Sequence, residues 1–391
     1  MATDYPKIQV CFSTLNQMVN LLTLRMFPPE QLVYCTIEGS PENARWDKNF
    51  DAVVAQELKK PKITFTLDKN DLLAISNIED KLAHQLAANG LSTPPLLWNI
   101  TGGQRYYFLA AYELFKKRHD DFLCYVEGNT NRIILLKNAN GNILQAGDIR
   151  SNIEVSIVEA LKLMGFKQGT RTSDLHVKFD AAGASTKAPM PEYLPFFDLL
   201  TQTEELRQFC LELNVKKDKT QHDHDELARL LAEPQFKKIR EQLEQPPYGS
   251  FGKVFEMAIG AKILDIIKNL KPRHYVSELV VSQVVTFDDA NTPVDEFDIV
   301  LLTRDGKFII FECKTGSMHS DVAKSTRYSA YAVGGVYGLP ILLVPLRSEE
   351  RKVVPPFAEN LKGTIKAAER AQLAVWGLDE IEPNLKNKLM P

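Results

Sequence analysis

The sequence is short of cysteine, of excess basic charge and of long apolar runs, and each shortage excludes a class of protein. Among 391 residues there are 5 cysteines, an odd number without a CxxC pair, so we expect neither a disulfide framework nor a zinc site. The formal net charge is -3, so any contact with nucleic acid must be local. No apolar run is long enough to cross a bilayer, and the first residues lack the apolar core of a signal peptide. These features predict a soluble cytoplasmic protein that does not bind membranes.

The order of strand and helix patterns predicts two domains and a connector. Strands and helices alternate through residues 1–150, which is typical of an α/β domain of the Rossmann type. Residues 151–245 are mostly helical, with a loop or linker rich in Gly, Ser and Pro at 169–191. Residues 246–391 begin with a helix, three strands, a helix and a strand. We expect a second α/β domain there.

Charged side chains interrupt an otherwise apolar strand of the last domain. Alternate residues of a strand share a face, so Glu312 and Lys314 point the same way, while Phe311 and Cys313 point to the other face. Charges on one face of a buried strand are costly unless they are paired or bound to a cation. The pattern therefore marks a candidate site.

The turn before this strand predicts which residue faces Glu312. Residues 304–306 (Arg-Asp-Gly) suit a three-residue hairpin loop with Gly306 in the left-handed conformation. Such a loop places Thr303 opposite Lys307 and, further along the ladder, Asp298 opposite Glu312. Side chains directly opposite share a face and lie about 5 Å apart at Cβ. A two-residue loop would move Asp298 to the wrong face.

Two facing carboxylates repel each other, and a divalent cation removes that repulsion. Oxygen ligands from carboxylates, water and phosphate suit Mg²⁺ or Mn²⁺. Beside such a cation, Lys314 is placed to orient or deprotonate a water that attacks a phosphodiester. Glu256 lies on a mostly apolar helix and is a candidate for an additional ligand or a base, the alternative being an ion pair with Lys253. The pattern indicates metal-dependent phosphodiester hydrolysis.

The helix after this site carries residues suited to holding nucleic acid. Lys324, Arg327 and Tyr328 share one face by their spacing. They are candidates for gripping phosphate or stacking on a base. An ordinary solvated helix face is the alternative.

A second candidate site lies in the first domain, where a strand ends and a helix begins. Gly102 and Gly103 let a ligand approach the backbone, and the free amides at the helix start attract anions. Ligands of open α/β sheets bind at this edge. Ser13 and Thr14 leave the first strand at the same edge and offer hydroxyls. Alone, the motif is also compatible with a simple tight turn.

The C-terminal residues resemble the PD-(D/E)xK nuclease superfamily over about residues 246–346. The resemblance rests on Glu-Phe-Asp at 296–298 and Phe-Glu-Cys-Lys-Thr at 311–315. It implies a restriction-endonuclease-like fold in which Asp298 and Glu312 ligate metal, Lys314 assists the water and Glu256 is the acid of the first helix. The proline of the family name is absent, since Phe297 precedes Asp298.

Residues 99–105 (Asn-Ile-Thr-Gly-Gly-Gln-Arg) resemble the motif of CARF sensor domains, with Gln104 and Arg105 in place of the usual Thr-Lys. The whole chain thus resembles the CARF nucleases of type III CRISPR antiviral defence. The resemblance implies a homodimer that binds a cyclic oligoadenylate, commonly cyclic tetra-adenylate, and then cuts DNA or RNA. The implied contacts to the activator are Ser13, Thr14, Thr101, Gly102, Gly103, Gln104 and Arg105.

Two other interpretations remain open at this stage. A restriction or repair endonuclease would use its N-terminal domain to bind DNA, which predicts a basic groove there. A catalytically silent regulator would bind a signal without cutting. The sequence does not distinguish DNA from RNA as the substrate. It also does not determine the ring size of the activator or whether the sensor domain degrades its own activator.

Overall fold

The computed structural model describes most of the chain, and the following account is confined to that part. The described residues are 5–68, 70–127, 132–138, 143–148, 153–169, 174–180, 183–184, 191–216, 218–244, 250–270, 276–288 and 293–389. None of the helices described there is long and apolar enough to span a membrane.

The first half of the chain forms a mainly parallel sheet flanked by helices. In chain order its elements are β1 (Ile8–Phe12), α1 (Met18–Met26), β2 (Gln31–Ile37), α2 (Pro41–Val54), β3 (Ile63–Leu67), α3 (Ile75–Ala88), β4 (Leu96–Asn99), α4 (Arg105–Lys117), β5 (Phe122–Glu127), β6 (Arg132–Lys137) and β7 (Ile143–Asp148). The strand order is β3-β2-β1-β4-β5-β6-β7, parallel up to β5 and antiparallel beyond. The Rossmann-like expectation is confirmed. The chain order reverses between β1 and β4, which is where such sheets bind ligands.

Helix α2 is an element that the sequence pattern did not indicate. Ser40 caps it by accepting a hydrogen bond from the Asn43 N–H at 3.3 Å, and Pro41 occupies its first turn. Only four of its residues are buried, and two of those are asparagines. The apolar stripe that usually identifies a helix is therefore nearly absent.

The second half forms a mixed sheet with helices packed on it. Its elements are α5 (Ile157–Leu163), β8 (Phe166–Gln168), β9 (Leu175–Asp180), β10 (Gly183–Ala184), α6 (Tyr193–Gln202), α7 (Glu204–Val215), α8 (Gln221–Leu230), α9 (Lys237–Glu244), α10 (Ser250–Asn269), β11 (Val276–Phe287), β12 (Pro293–Thr303), β13 (Phe308–Cys313), α11 (Ser320–Gly334), β14 (Gly338–Leu343), α12 (Ser348–Lys352), α13 (Glu359–Arg370), β15 (Ala374–Trp376) and α14 (Ile381–Leu389). The order is β10-β9-β11-β12-β13-β14-β15, and β8 pairs with β11.

The interpretation of 169–191 as a loop or linker is wrong for the strand at Leu175–Asp180. There Leu175, Val177 and Phe179 are buried and alternate with polar residues, and β9 pairs antiparallel with β11. The surrounding Gly, Ser and Pro residues concealed this short alternation. The connector therefore contributes strands to the second sheet, in addition to its helices.

The expected register of the β12–β13 hairpin is confirmed. The Thr303 N–H donates to the Lys307 carbonyl at 3.0 Å, and Gly306 adopts φ +78°. Ile299 lies opposite Phe311, so the ladder directs Asp298 toward Glu312. The three-residue loop of the sequence prediction is the one the protein uses.

The hairpin tip packs against the first half of the chain. A Cβ added at Gly306 would lie 2.5 Å from Cγ of Met18, the first residue of α1. One hydrophobic core joins the two halves, with Leu21 and Leu22 of α1 on one side and Phe308 of β13 on the other. The first domain is therefore in direct contact with the strands that carry the candidate catalytic residues.

Candidate functional site

Asp298, Glu312 and Lys314 come together at one end of the β12–β13 pair. Glu312 is 9% exposed, and Lys314 forms an ion pair with it. Asp298 accepts a hydrogen bond from the Cys313 N–H at 2.7 Å. The strands place these groups there because β13 is buried along its length and the sheet alternation directs Glu312 and Asp298 to the same face.

The electrostatics of this cluster are those of crowded, buried carboxylates. Burial raises the pKa of Asp298 well above its usual range, the Glu312 and Glu256 carboxylates raise it further, and Lys314 only partly offsets them. Burial alone would lower the pKa of Lys314, but the Glu312 and Asp298 carboxylates raise it. Lys314 is thus held as an ammonium, which suits it to orienting water and phosphate more than to removing a proton.

The donor set fits a hydrated divalent cation. The described residues contain no group of three or more His, Cys, Asp or Glu side chains poised to enclose a metal. Two carboxylates with water and phosphate are nevertheless the usual protein share of a Mg²⁺ site. A cation between Asp298 and Glu312 would also remove the repulsion that raises the pKa of Asp298. The residues present are therefore compatible with Mg²⁺ or Mn²⁺.

The raised pKa of Asp298 predicts how stability changes with pH. Between its ordinary pKa of 3.8 and the raised value, the folded protein keeps a proton that the unfolded chain has lost. This contribution to stability is complete below the ordinary pKa and is lost as pH rises through the folded pKa. The melting temperature without divalent metal, measured by calorimetry at about pH 5 and at about pH 8, is therefore expected to be lower at the higher pH.

Two controls isolate this effect from other titrations. Asp298→Asn has no carboxyl group that could ionise at this position, so its melting temperature should fall less over the same range. Added Mn²⁺ should stabilise the wild type more at about pH 8 than at about pH 5, since the cation replaces the proton. Equal slopes for the wild type and Asp298→Asn would contradict this account of the site.

Glu256 of α10 lies beside the cluster and is also paired with Lys253. The Lys253 Nζ and Glu256 Oε2 atoms are 2.8 Å apart, so the ion pair considered as an alternative is present. Burial raises the pKa of Glu256, and Lys253 lowers it. Glu256 also interacts electrostatically with Asp298 and Lys314. The helix acid therefore contacts its lysine and borders the site at the same time.

The candidate nucleic-acid residues on α11 differ in exposure and in the contacts that their side chains make. Tyr328 is 76% exposed. Lys324 is also largely exposed and lies 3.5 Å from Asp321. Arg327 donates to the Ala371 carbonyl at 2.9 Å and to Gln372 at 2.8 Å, so part of its guanidinium is already engaged in hydrogen bonds within the protein. Tyr328 is the residue best placed to meet a ligand.

A cavity of about 610 Å³ lies at the start of α4 in the first domain. It takes in every residue of the predicted segment 101–105. Its other walls are apolar and aromatic side chains of α4, β5 and β6. Its lining is Ile100, Thr101, Gly102, Gly103, Gln104, Arg105, Phe108, Tyr112, Leu123, Tyr125, Ile134 and Leu136.

Ser13 and Thr14 do not line this cavity. The Ser13 hydroxyl is buried and donates to Asp47 of α2 at 2.6 Å. Asp47 also accepts from Tyr34 and Thr36 at 2.7 and 2.6 Å. Sequence reasoning missed this network because it did not identify α2, and Ser13 is bound within the fold.

Glycine is required at both positions of the Gly102-Gly103 turn. A Cβ at Gly102 would lie 2.8 Å from a methyl carbon of Thr14. Gly103 has φ +90°, and a Cβ there would lie 2.7 Å from that of Phe12. The turn is thus pressed against the end of β1. Thr14 lies next to the cavity wall although it does not form part of it.

Comparison with solved structures shows the same fold along nearly the whole chain. Protein VC1899 from Vibrio cholerae matches with a TM-score of 0.70 at 16% identity, covering 98% of this chain and 97% of that chain. Can2 from Sulfobacillus thermosulfidooxidans, solved in complex with cyclic tetra-adenylate, matches with a TM-score of 0.65 at 17% identity over 98% and 97%. A type III CRISPR defence DNA nuclease activated by cyclic oligoadenylate matches with a TM-score of 0.52 at 15% identity.

The solved structures differ in how much of their own length this chain covers. The chain covers 46% of the length of the CRISPR defence DNA nuclease, while 88% of this chain is matched. No protein-family model and no curated protein sequence matches the chain. The resemblance to CARF nucleases stated from the motifs is confirmed at the level of the fold: the chain has the α/β architecture of Can2 and of the CRISPR defence nuclease.

Proposed function

We propose that this protein is a metal-dependent nuclease of CRISPR antiviral defence whose activity is switched on by a cyclic oligoadenylate. The convergence of Asp298, Glu312 and Lys314 at the end of the β12–β13 pair carries the proposal. Its fold is that of Can2, solved with cyclic tetra-adenylate, and of a DNA nuclease activated by cyclic oligoadenylate.

In the proposed reaction each residue of the cluster has a distinct part. Asp298 and Glu312 would hold Mg²⁺ or Mn²⁺, which supplies Lewis acidity to the phosphodiester when bound. Lys314, charged and 29% exposed, orients the attacking water and offsets the negative charge that develops on phosphorus. Glu256 borders the pair from α10. Tyr328 on α11 offers an exposed ring on which a base of DNA or RNA stacks.

The cavity at the start of α4 is proposed as the activator site. Its residues 101–105 present a glycine turn, the first amides of a helix and the Arg105 guanidinium, all suited to phosphate. Phe108, Tyr112 and Tyr125 supply aromatic surfaces for adenine. The mixed aromatic and apolar lining favours a nucleotide ligand over duplex DNA, for which a basic groove was expected.

The outer face of α4 is proposed to join two copies of the chain. Tyr106, Phe108, Leu109 and Tyr112 are between 38% and 52% exposed on this helix. A cluster of large exposed apolar side chains marks a partner surface. Since the same helix begins at the cavity, a symmetric ligand bound there would contact both copies.

Charge on this face is expected to separate the dimer. Leu109→Asp places a carboxylate in the contact, which should raise the dimer dissociation constant by at least about 100-fold. Sedimentation equilibrium measures the change. Val353→Asp is the matched control, because Val353 is 80% exposed and follows α12 in the other half of the chain. Dimers of equal strength in both variants would refute this interface.

A direct structural path connects the two proposed sites. Thr14 touches Gly102 of the cavity turn, and Met18 at the start of α1 touches Gly306 at the tip of the β12–β13 hairpin. Movement at the cavity would therefore reach the strands that carry Asp298 and Glu312. Activation requires that the activator bind the competent arrangement more tightly, about 1.4 kcal/mol for each tenfold gain in activity.

A panel of activators and substrates tests the proposed function. The protein is incubated with Mn²⁺ and cyclic oligoadenylates of several ring sizes, with plasmid, single-stranded DNA and RNA as substrates. Cleavage that requires one of the rings supports the proposal and identifies the substrate. Full cleavage without any ring would remove the gating, and binding of the ring without cleavage would favour a silent regulator.

A further inference from the structure

A lysine-centred cluster lies next to the proposed catalytic carboxylates. Lys253 of α10 is 2.5 Å from Asp174 Oδ2 and 2.8 Å from Glu256 Oε2, and it also donates to the Ser282 hydroxyl. The Ser282 hydroxyl in turn donates to Asp174 at 2.5 Å. We call Asp174, Lys253, Glu256 and Ser282 the Lys253 cluster. Its members come from the connector, α10 and β11.

Ser282 holds a strained backbone at the point where β11 changes partners. Its φ is +60°, in the left-handed region that residues with a Cβ rarely adopt. On one side the Val284 carbonyl accepts from the Gly169 N–H at 2.8 Å, and on the other the Val281 carbonyl accepts from the Asp174 N–H at 3.1 Å. Such strain persists only where surrounding contacts impose it, and it is common at functional sites.

The strained residue lies beside a proposed metal ligand. Val281 pairs with Ile299 and Gln283 pairs with Phe297, so the register brings Ser282 across from Asp298 on the adjoining strand. The conformation of Ser282 directs its hydroxyl to Lys253 and Asp174. The irregularity in β11 is therefore located at the site and serves the Lys253 cluster.

The hydrogen bonds of Lys253 leave it no donor for a substrate. A lysine ammonium has three N–H donors, and Asp174, Glu256 and Ser282 accept from them. Burial alone would lower the pKa of Lys253, but its hydrogen bonds to Asp174 and Glu256 raise it. A fully engaged ammonium holds its partners in place; it does not capture a phosphate from solution.

We propose that Lys253 is a positioning residue, which fixes the Glu256 carboxylate toward the cation site of Asp298 and Glu312. Asp174 and Ser282 hold the ammonium, and the ammonium holds Glu256. The inference rests on the proposed function, because it assigns Glu256 a place at the cation. It adds three residues that the nuclease motif does not contain: Asp174, Lys253 and Ser282.

Substitution of Lys253 separates positioning from substrate binding. In the full chain with activator and Mn²⁺, Lys253→Met should lower kcat by about 100-fold with KM for nucleic acid unchanged. Lys262→Met on the same helix is the matched control. Lys262 is not a member of the Lys253 cluster and instead pairs with Glu382 at 3.3 Å. A raised KM with kcat intact would mean that Lys253 binds phosphate, and would overturn the proposal.

Ser282 provides a second variant that is expected to fold well. Ser282→Gly removes the hydroxyl and relieves the backbone strain, whereas Ser282→Ala removes the hydroxyl and keeps the strain. Both variants should have a lower kcat than the wild type, and the glycine variant should melt at a higher temperature than the alanine variant. Full activity in Ser282→Gly would show that the hydroxyl does not hold the cluster.

Binding of Mn²⁺ to the unactivated protein tests the proposal without cleavage. Lys253→Met should weaken Mn²⁺ binding about tenfold, measured from the spin-resonance signal of free Mn²⁺, because Glu256 loses its orientation. A lysine that acted only by its charge would repel the cation, and its removal would tighten binding. If the wild type never cleaves nucleic acid, the proposed function fails, and this measurement still decides the role of Lys253: unchanged or tighter binding overturns it.

Discussion

Glu312→Gln is expected to abolish nucleic-acid cleavage while leaving activator binding intact. The substitution keeps the shape of the side chain but removes the charge that faces Asp298 and would hold the cation. A loss of at least about 1,000-fold in kcat corresponds to about 4 kcal/mol of lost transition-state stabilisation. Initial rates at saturating activator and Mn²⁺ measure it. Raising the Mn²⁺ concentration should restore little, because a neutral amide binds a divalent cation far less strongly than the carboxylate that it replaces.

Two observations keep this result specific. Glu359→Gln changes an exposed carboxylate on α13 that pairs with Lys362, and it should leave the rate within about twofold of the wild type. Circular dichroism of Glu312→Gln should show an intact fold. If the variant keeps more than about a tenth of the wild-type rate, Glu312 is not part of the catalytic site.

Arg105→Glu is expected to weaken activator binding by about 100-fold, or about 3 kcal/mol. Arg105 is exposed, begins α4 and lines the cavity with the glycine turn. Reversal of its charge replaces a donor to phosphate with a group that repels phosphate. Calorimetric titration with cyclic tetra-adenylate gives the dissociation constant. The activation curve should shift to higher activator concentration by the same factor, with the maximal rate retained.

The opposite end of the same helix provides the control. Lys117→Glu reverses an exposed charge that pairs with Glu79 of α3 and is not part of the cavity lining, and it should bind activator as the wild type does. An unchanged dissociation constant in Arg105→Glu would place the activator elsewhere. Loss of the maximal rate without loss of affinity would make Arg105 part of the transmission between sites.

The sequence predicted the β12–β13 hairpin because its determinants are local. Gly306 sets the turn, strand alternation sets the faces, and together they align Asp298 with Glu312 without reference to distant residues. The glycine turn at 101–105 was predicted for the same reason. Its placement at the edge of a parallel sheet follows from the general topology of such folds.

What the sequence did not predict depends on distant contacts. Asp174 and Ser282 meet through the pairing of β9 with β11, and a left-handed serine has no signature in a sequence. Ser13 was expected at the ligand, but Asp47 of an unrecognised helix binds its hydroxyl. Tyr112 and Tyr125 line the cavity, although neither belongs to a motif. Their exposure is the signal, and only a structure shows it.

The most direct test of the proposed function is cleavage by the wild-type protein with activator and metal varied independently. Labelled DNA and RNA are incubated with neither, with cyclic tetra-adenylate alone, with Mn²⁺ alone and with both. Products are expected only when both are present, since we propose that Asp298 and Glu312 hold the cation and that the activator sets the arrangement of the β12–β13 hairpin. Products formed in the presence of a chelator, or equal amounts of product with and without the ring, would contradict the proposed function.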